Sequence, residues 1–250
     1  RLPEPDISSA VTLARNTDAV IIVVGSADNY ETEGEDRPSM KLTGKQDKLI
    51  ESILNVNDNT VVVMNTGSPI EMPWVSSCPA ILQVWLPGQE GGNAISNILF
   101  GNVNPSGKLP VTFPIALEDN PSYKYYPGND EVEYSEGIYV GYRYYDTKNV
   151  APLFPFGHGL SYTKFEYSNF NCPIEVSSLK NVELKFIIKN VGKTQGQEVV
   201  QCYVRDVESR LERPIKELKA FYKLNLLPGE SKIVNLSLDK TSFSFFDDQI

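Results

Sequence analysis

Ala19-Val20-Ile21-Ile22-Val23-Val24-Gly25 is an unbroken apolar run ending in glycine, and Tyr30-Glu31-Thr32-Glu33-Gly34-Glu35-Asp36-Arg37 follows it closely. The run reads as a fully buried strand of the kind found in parallel sheets. An acidic, glycine-containing loop at the carboxyl end of such a strand lies where open α/β sheets place their ligand chemistry. Four carboxylates and one arginine share the seven residues from Glu31 to Arg37. That composition allows one acid to be paired and ionised while another is kept protonated, which is the raw material of general acid catalysis.

On either side of this loop, residues 6–114 alternate helix and strand signals. Ser8 or Ser9 is placed to cap a short helix ending near Arg15, with Val11, Leu13 and Ala14 available for burial. Residues 44–56 carry Leu49, Ile50, Ile53 and Leu54 as a helical stripe, and Ala94, Ile95, Ile98 and Leu99 repeat at helical spacing within 91–99. Residues 60–64 and 80–85 read as two further strands. Alternation of this kind implies a mostly parallel sheet with helices on both faces.

The composition changes between residues 120 and 158, where Tyr, Pro, Gly and Asp dominate. So many aromatics argue for a connection wrapped on a domain surface rather than a flexible linker. From Phe165 onward the apolar residues alternate with period two. Residues 182–188, 198–204, 215–221 and 231–238 read as strands, with turns at Asn190-Val191-Gly192 and Pro228-Gly229. Several short strands with no helix signal predict a β-sandwich. Because a sandwich needs further strands to close its edges, the carboxyl end reads as truncated.

The formal net charge of -9, with no basic cluster to offset it, argues against a nucleic-acid partner. No apolar run approaches the roughly 20 residues that span a bilayer, so no membrane partner is expected. Three widely spaced cysteines, Cys78, Cys172 and Cys202, and a single histidine, His158, argue against a zinc site and a His-based triad. Cys172 and Cys202 could pair only if two strands bring them together. No glycine-rich phosphate loop is present. Neither a metal nor a cofactor is expected.

Six segments, in order, resemble glycoside hydrolase family 3. They are Glu31-Thr32-Glu33-Gly34-Glu35-Asp36-Arg37 with Leu42 and Gln46, Gly67-Ser68-Pro69-Ile70-Glu71, and Trp85-Leu86-Pro87-Gly88-Gln89-Glu90-Gly91-Gly92. Further on come Asn104-Pro105-Ser106-Gly107-Lys108-Leu109-Pro110, Ile138-Tyr139-Val140-Gly141-Tyr142-Arg143-Tyr144-Tyr145 and Phe156-Gly157-His158-Gly159-Leu160-Ser161-Tyr162-Thr163. The nearest subgroup is the β-glucosidases, with β-xylosidases and exo-β-glucanases as related alternatives. The resemblance implies an α/β sandwich domain over residues 1–125 and a connection over 126–160. A fibronectin type III-like β-sandwich would follow over 161–250. The family's TIM-type barrel, which carries the nucleophilic aspartate, has no counterpart here, and no Ser-Asp-Trp signature occurs in the sequence.

The resemblance therefore implies half of a retaining glycosidase site, acting on β-linked glucosides together with a barrel domain in cis or on a separate chain. Such enzymes use two carboxyl groups about 5–5.5 Å apart, one as nucleophile and one as acid/base. Glu31, matching the first Glu of the Glu-Thr-Glu-Gly form, is the preferred acid/base. Glu33 is the alternative when the loop is aligned by its Gly-x-Asp-Arg end. Asp36 and Arg37 read as supporting residues, with Arg37 able to fork onto a loop carboxylate. Asp28 and Asn29 are candidates to line the sugar subsite, although turn formation suits them equally. Trp85 suits packing at least as well as stacking on a sugar ring. Glu90 reads as a helix-start carboxylate, and His158 as a structural loop residue. A reading of a different class is a non-catalytic carbohydrate-binding or scaffold module with a solvated acidic loop.

Overall fold

The computed structural model describes residues 6–26, 30–128, 130–177 and 180–247. The chain divides into two compact units, Arg1–Ser96 with Phe113–Lys124, and Asn97–Thr112 with Tyr125–Ile250. The first is mixed α/β around a parallel sheet, and the second is dominated by antiparallel strands.

In the first unit, α1 (Ile7–Arg15) leads to β1 (Val20–Gly25), α2 (Gln46–Leu54), β2 (Thr60–Asn65) and β3 (Ala80–Gln83). The N-cap of α1 is Asp6, not Ser8 or Ser9: its carboxylate accepts from the backbone N–H groups of both serines. Asp6 directly precedes the helix, whereas Ser8 and Ser9 lie in its first turn and supply the free N–H groups that a cap must meet. The three strands pair in parallel in the order β1-β2-β3, with Val20 opposite Thr60 and Gly25 opposite Asn65. Helix α3 (Gly91–Leu99) follows and runs on into the second unit's residues.

β2 is the central strand, and Val62, Val63 and Met64 are fully buried. α2 packs on it with Ile50, Ile53 and Leu54 turned inward. The expectation of complete burial fails for β1. Ile22 and Val24 are buried, whereas Ile21 and Val23 are 49% and 65% exposed. β1 is an edge strand of its sheet, and its second face is only partly covered by the described residues.

The carboxyl end of β1 is held by Gln46. Its Oε1 accepts from Gly25 N–H at 2.9 Å, and its Nε2 donates to Gly25 O at 2.9 Å. A side-chain amide thus continues the backbone pairing at the point where the strand stops. Position 25 requires glycine, because a Cβ there would lie 2.4 Å from Asn65 O.

In the second unit, β4 (Phe165–Asn171), β5 (Val182–Asn190) and β8 (Ser231–Leu238) form one antiparallel sheet, while β6 (Gly196–Val204) and β7 (Glu217–Leu226) form another. The period-two pattern works as expected. Leu184, Phe186 and Ile188 of β5 point into a core shared with Val200, Leu224, Leu226, Val234, Leu236 and Leu238. Asn190, also fully buried, is completely bonded: it donates to Thr194 O and Leu226 O and accepts from the Thr163 hydroxyl and Gly192 N–H. Such saturation removes the cost of burying an amide.

The tyrosine-rich stretch contains a helix, α4 (Tyr142–Lys148), that the sequence reading treats as connection. Tyr142 stacks on Phe156 at 4.9 Å and meets Tyr203 edge-on at 5.7 Å, and its hydroxyl accepts from Leu218 N–H at 2.7 Å. Its aromatic residues therefore serve packing within this unit. Cys78, Cys172 and Cys202 are free thiols. Among the described residues no helix is long and apolar enough to cross a membrane.

Candidate active site

The loop after β1 folds back on itself through an isolated antiparallel bridge between Thr32 and Glu35. Gly34 sits between them with φ +86°, the backbone state that the third residue of a type II turn requires. Glu33, the other residue of this turn, is exposed at the loop tip. Tyr30 braces the base: its hydroxyl donates to Ser39 O at 3.0 Å, and the Arg37 guanidinium lies 5.3 Å over its ring.

Two residues before Glu33, Glu31 is in a very different setting. Its Oε2 accepts from Gly67 N–H at 2.8 Å, and its Oε1 accepts from the Ser68 hydroxyl at 2.7 Å and from Arg37 Nη1 at 3.1 Å. The side chains of Arg37 and Glu31 are 18% and 17% exposed. Burial alone would raise the Glu31 pKa. The Ser68 hydroxyl, the Gly67 N–H, the Arg37 charge and the Ser26 hydroxyl outweigh it and hold the carboxyl below its ordinary value. Glu31 is an ionised, anchored carboxylate.

The grip on Glu31 comes from the neighbouring strand. Because β1 and β2 run in parallel, their carboxyl ends share one edge, and the Gly67-Ser68 step after β2 lies beside the loop after β1. A Cβ on Gly67 would stand 2.9 Å from Glu31 Oε2, so a larger residue there would displace the carboxylate from this position. Arg37 also donates through Nη1 to the Ser68 hydroxyl and to Pro69 O. Among the described residues one nitrogen of Arg37 serves Glu31, Ser68 and Pro69, and no described residue partners its buried Nε and Nη2.

The other sequence candidates fall into place as follows. Asp28 and Asn29 lie outside the described residues. Asp36, like Glu35, is exposed on the loop. Trp85 has a positive φ of 55° just past β3 and meets Phe113 edge-on at 5.9 Å, a packing contact. Glu90 precedes α3 and accepts from the Asn93 side chain at 2.6 Å. His158 stacks on Phe154 at 5.1 Å and its backbone carbonyl accepts from Leu109 N–H, so it is built into a loop. Burial, aided by the nearby Lys108 charge, keeps its pKa below the usual imidazole value. Among the described residues no group of histidine, cysteine and acidic side chains could hold a metal ion. In the sequence Gly67 and Ser68 stand out only as part of the Gly67-Ser68-Pro69-Ile70-Glu71 motif. The signal that would have found them is their place immediately after the strand parallel to β1.

A model of the glycosyl hydrolase family 3 C-terminal domain matches residues 4–162, and one of a fibronectin type III-like domain matches residues 198–250. The chain is 50% identical over 253 residues to the thermostable beta-glucosidase B of Acetivibrio thermocellus, covering 100% of this chain and 33% of that protein. Among solved structures, the Bifidobacterium adolescentis GH3 beta-glucosidase superposes with a TM-score of 0.94 at 36% identity, over 100% of this chain and 37% of that one. The Kluyveromyces marxianus beta-glucosidase in complex with glucose gives a TM-score of 0.88 at 41% identity, over 93% of this chain and 28% of its own. The chain spans about a third of the length of the curated relatives it matches. With a family model covering more than half of its residues, this chain belongs to glycosyl hydrolase family 3, within the C-terminal region of that family.

Proposed function

We propose that this chain is the C-terminal part of a retaining β-glucosidase and that its loop after β1 supplies the general acid/base, Glu33. Its partners are β-linked glucosides and a barrel domain bearing the aspartate nucleophile. In this reading residues 1–125 form the acid/base domain, 126–160 the connection and 161–250 the fibronectin type III-like domain. The observation that carries the assignment is the contrast between two glutamates two positions apart. Glu31 is satisfied by three donors and held ionised, whereas Glu33 stands exposed at the turn. A general acid must hold a proton before attack and reach the leaving oxygen. A carboxylate stabilised in its charged form and turned into its own domain suits neither task.

Protonated Glu33 then donates to the glycosidic oxygen as the barrel aspartate attacks the anomeric carbon. In the second step the Glu33 carboxylate takes a proton from water, which displaces the aspartate and gives net retention. An acid without its nucleophile forms no glycosyl intermediate, so the 250-residue chain by itself is expected to turn over no aryl β-glucoside.

The test uses the enzyme that carries this chain. Glu33→Gln should slow alkyl β-glucosides far more than dinitrophenyl β-glucosides, whose leaving group needs little protonation. Glu31→Gln, which leaves the Glu33 carboxyl in place and disturbs only its anchor, should show that selectivity to a smaller degree. Equal slowing of both substrate classes by Glu33→Gln would refute the assignment.

A further inference from the structure

From the contacts around Glu31, we infer that Gly67 and Ser68 are positioning residues for the catalytic loop: they fix where Glu33 stands by gripping Glu31 from the end of the neighbouring strand. The inference rests on the reading of Glu33 as the acid/base.

The Thr32–Glu35 bridge closes the turn, and the Tyr30 hydroxyl ties its base to Ser39. Attachment to the segment after β2 runs through the Glu31 carboxylate, with Arg37 bonding the same Ser68 hydroxyl and Pro69 O. Gly67 N–H and the Ser68 hydroxyl both donate to it, two and three residues past the end of β2. β2 is the innermost strand of its sheet, with Val62, Val63 and Met64 fully buried. The loop is thus moored beside the end of the most buried strand of its sheet.

The geometry of the grip is specific. Gly67 donates its backbone N–H and, lacking a Cβ, leaves space for Oε2 that a methyl group would take. The Ser68 hydroxyl donates to Glu31 Oε1 while accepting from Arg37, so it links the guanidinium to the carboxylate in a closed triangle with the direct Arg37–Glu31 bond. Glu33 is two residues from Glu31, a span of at most about 7 Å of chain. A shift of the Glu31 anchor therefore passes to Glu33 with little slack. Misplacing a catalytic group by about 1 Å can cost on the order of a hundredfold in rate.

The loss should appear only where proton donation limits the reaction, which separates positioning from a general weakening of the fold. In the enzyme that carries this chain, Ser68→Ala is expected to lower kcat/KM for alkyl β-glucosides by roughly ten- to a hundredfold. Dinitrophenyl β-glucosides should stay near the parent value, and Ser68→Thr, which keeps the hydroxyl, should restore most of the loss. Gly67→Ala should show the same selectivity, and Ser68→Ala remains the test if that variant fails to fold. Loss of equal size for both leaving groups, no loss at all, or no recovery in Ser68→Thr would overturn the inference. Glu33→Gln, run on the same substrates, separates the two claims. If it lacks leaving-group dependence, the acid assignment fails; if it has that dependence while Ser68→Ala does not, the positioning role alone fails.

Discussion

Replacing Glu31 with glutamine tests the anchor at its centre, because it removes the charge and changes almost no volume. The carboxylate offers two acceptor oxygens: Oε2 for Gly67 N–H, and Oε1 for the Ser68 hydroxyl and Arg37 Nη1. A glutamine offers one oxygen and one NH2 group. If the NH2 faces Gly67, two donors confront each other; if it faces the other way, it confronts the guanidinium. In either orientation at least one hydrogen bond to a charged group is lost, worth about 1.5–3 kcal/mol. That energy corresponds to a roughly ten- to hundredfold faster exchange of the Gly67 amide if the loop opens locally. Hydrogen exchange read at Gly67, beside a urea unfolding curve, makes the measurement. Acidification should imitate the substitution. Because the Glu31 pKa is lowered from 4.5, its contribution is fully present above that value and is lost as the pH falls through the lower folded value. Glu31→Gln should lack this part of the acid response. Unchanged Gly67 exchange together with an unchanged urea midpoint would refute the anchor.

The packing makes two further predictions. Asp47 accepts from Trp74 Nε1 at 2.9 Å, and burial, as the largest influence, raises its pKa above 3.8. Its carboxyl thus favours folding below that value and opposes it as the pH rises through the raised one, so Asp47→Asn should gain stability at pH 7 and lose that advantage near pH 3, as read by urea unfolding at both pH values. Leu226 is fully buried in the second unit's core, and Leu226→Ala should cost about 2–5 kcal/mol in the unfolding transition of that unit.

The parts of the fold that were legible in the sequence are those with a local cause. β1, β2, α3, β5 and β8 follow from runs or alternations of apolar residues whose period is set within the segment itself. Helix α4 escaped because Tyr142-Arg143-Tyr144-Tyr145-Asp146-Thr147-Lys148 has no aliphatic stripe. Its burial depends on Phe156 and Tyr203, and its last turn ends at Asn149 in the left-handed conformation. The exposed face of β1 was equally hidden, since an apolar run records what a strand can bury and not whether it lies at an edge. The acidic loop was recognisable from Glu31 to Arg37, but the different settings of its two glutamates, Glu31 and Glu33, were not. What separates Glu31 from Glu33 is a pair of donors 36 and 37 residues away, brought alongside only by parallel pairing.

Azide rescue decides most directly which glutamate transfers the proton. In the enzyme that carries this chain, Glu33→Ala and Glu31→Ala are each assayed with a dinitrophenyl β-glucoside with and without azide. A small anion fits the space left by the acid/base and attacks the glycosyl intermediate without needing deprotonation, so rescue with formation of β-glucosyl azide marks the acid/base position. The account predicts rescue in Glu33→Ala and none in Glu31→Ala. Rescue in Glu31→Ala with none in Glu33→Ala would contradict it.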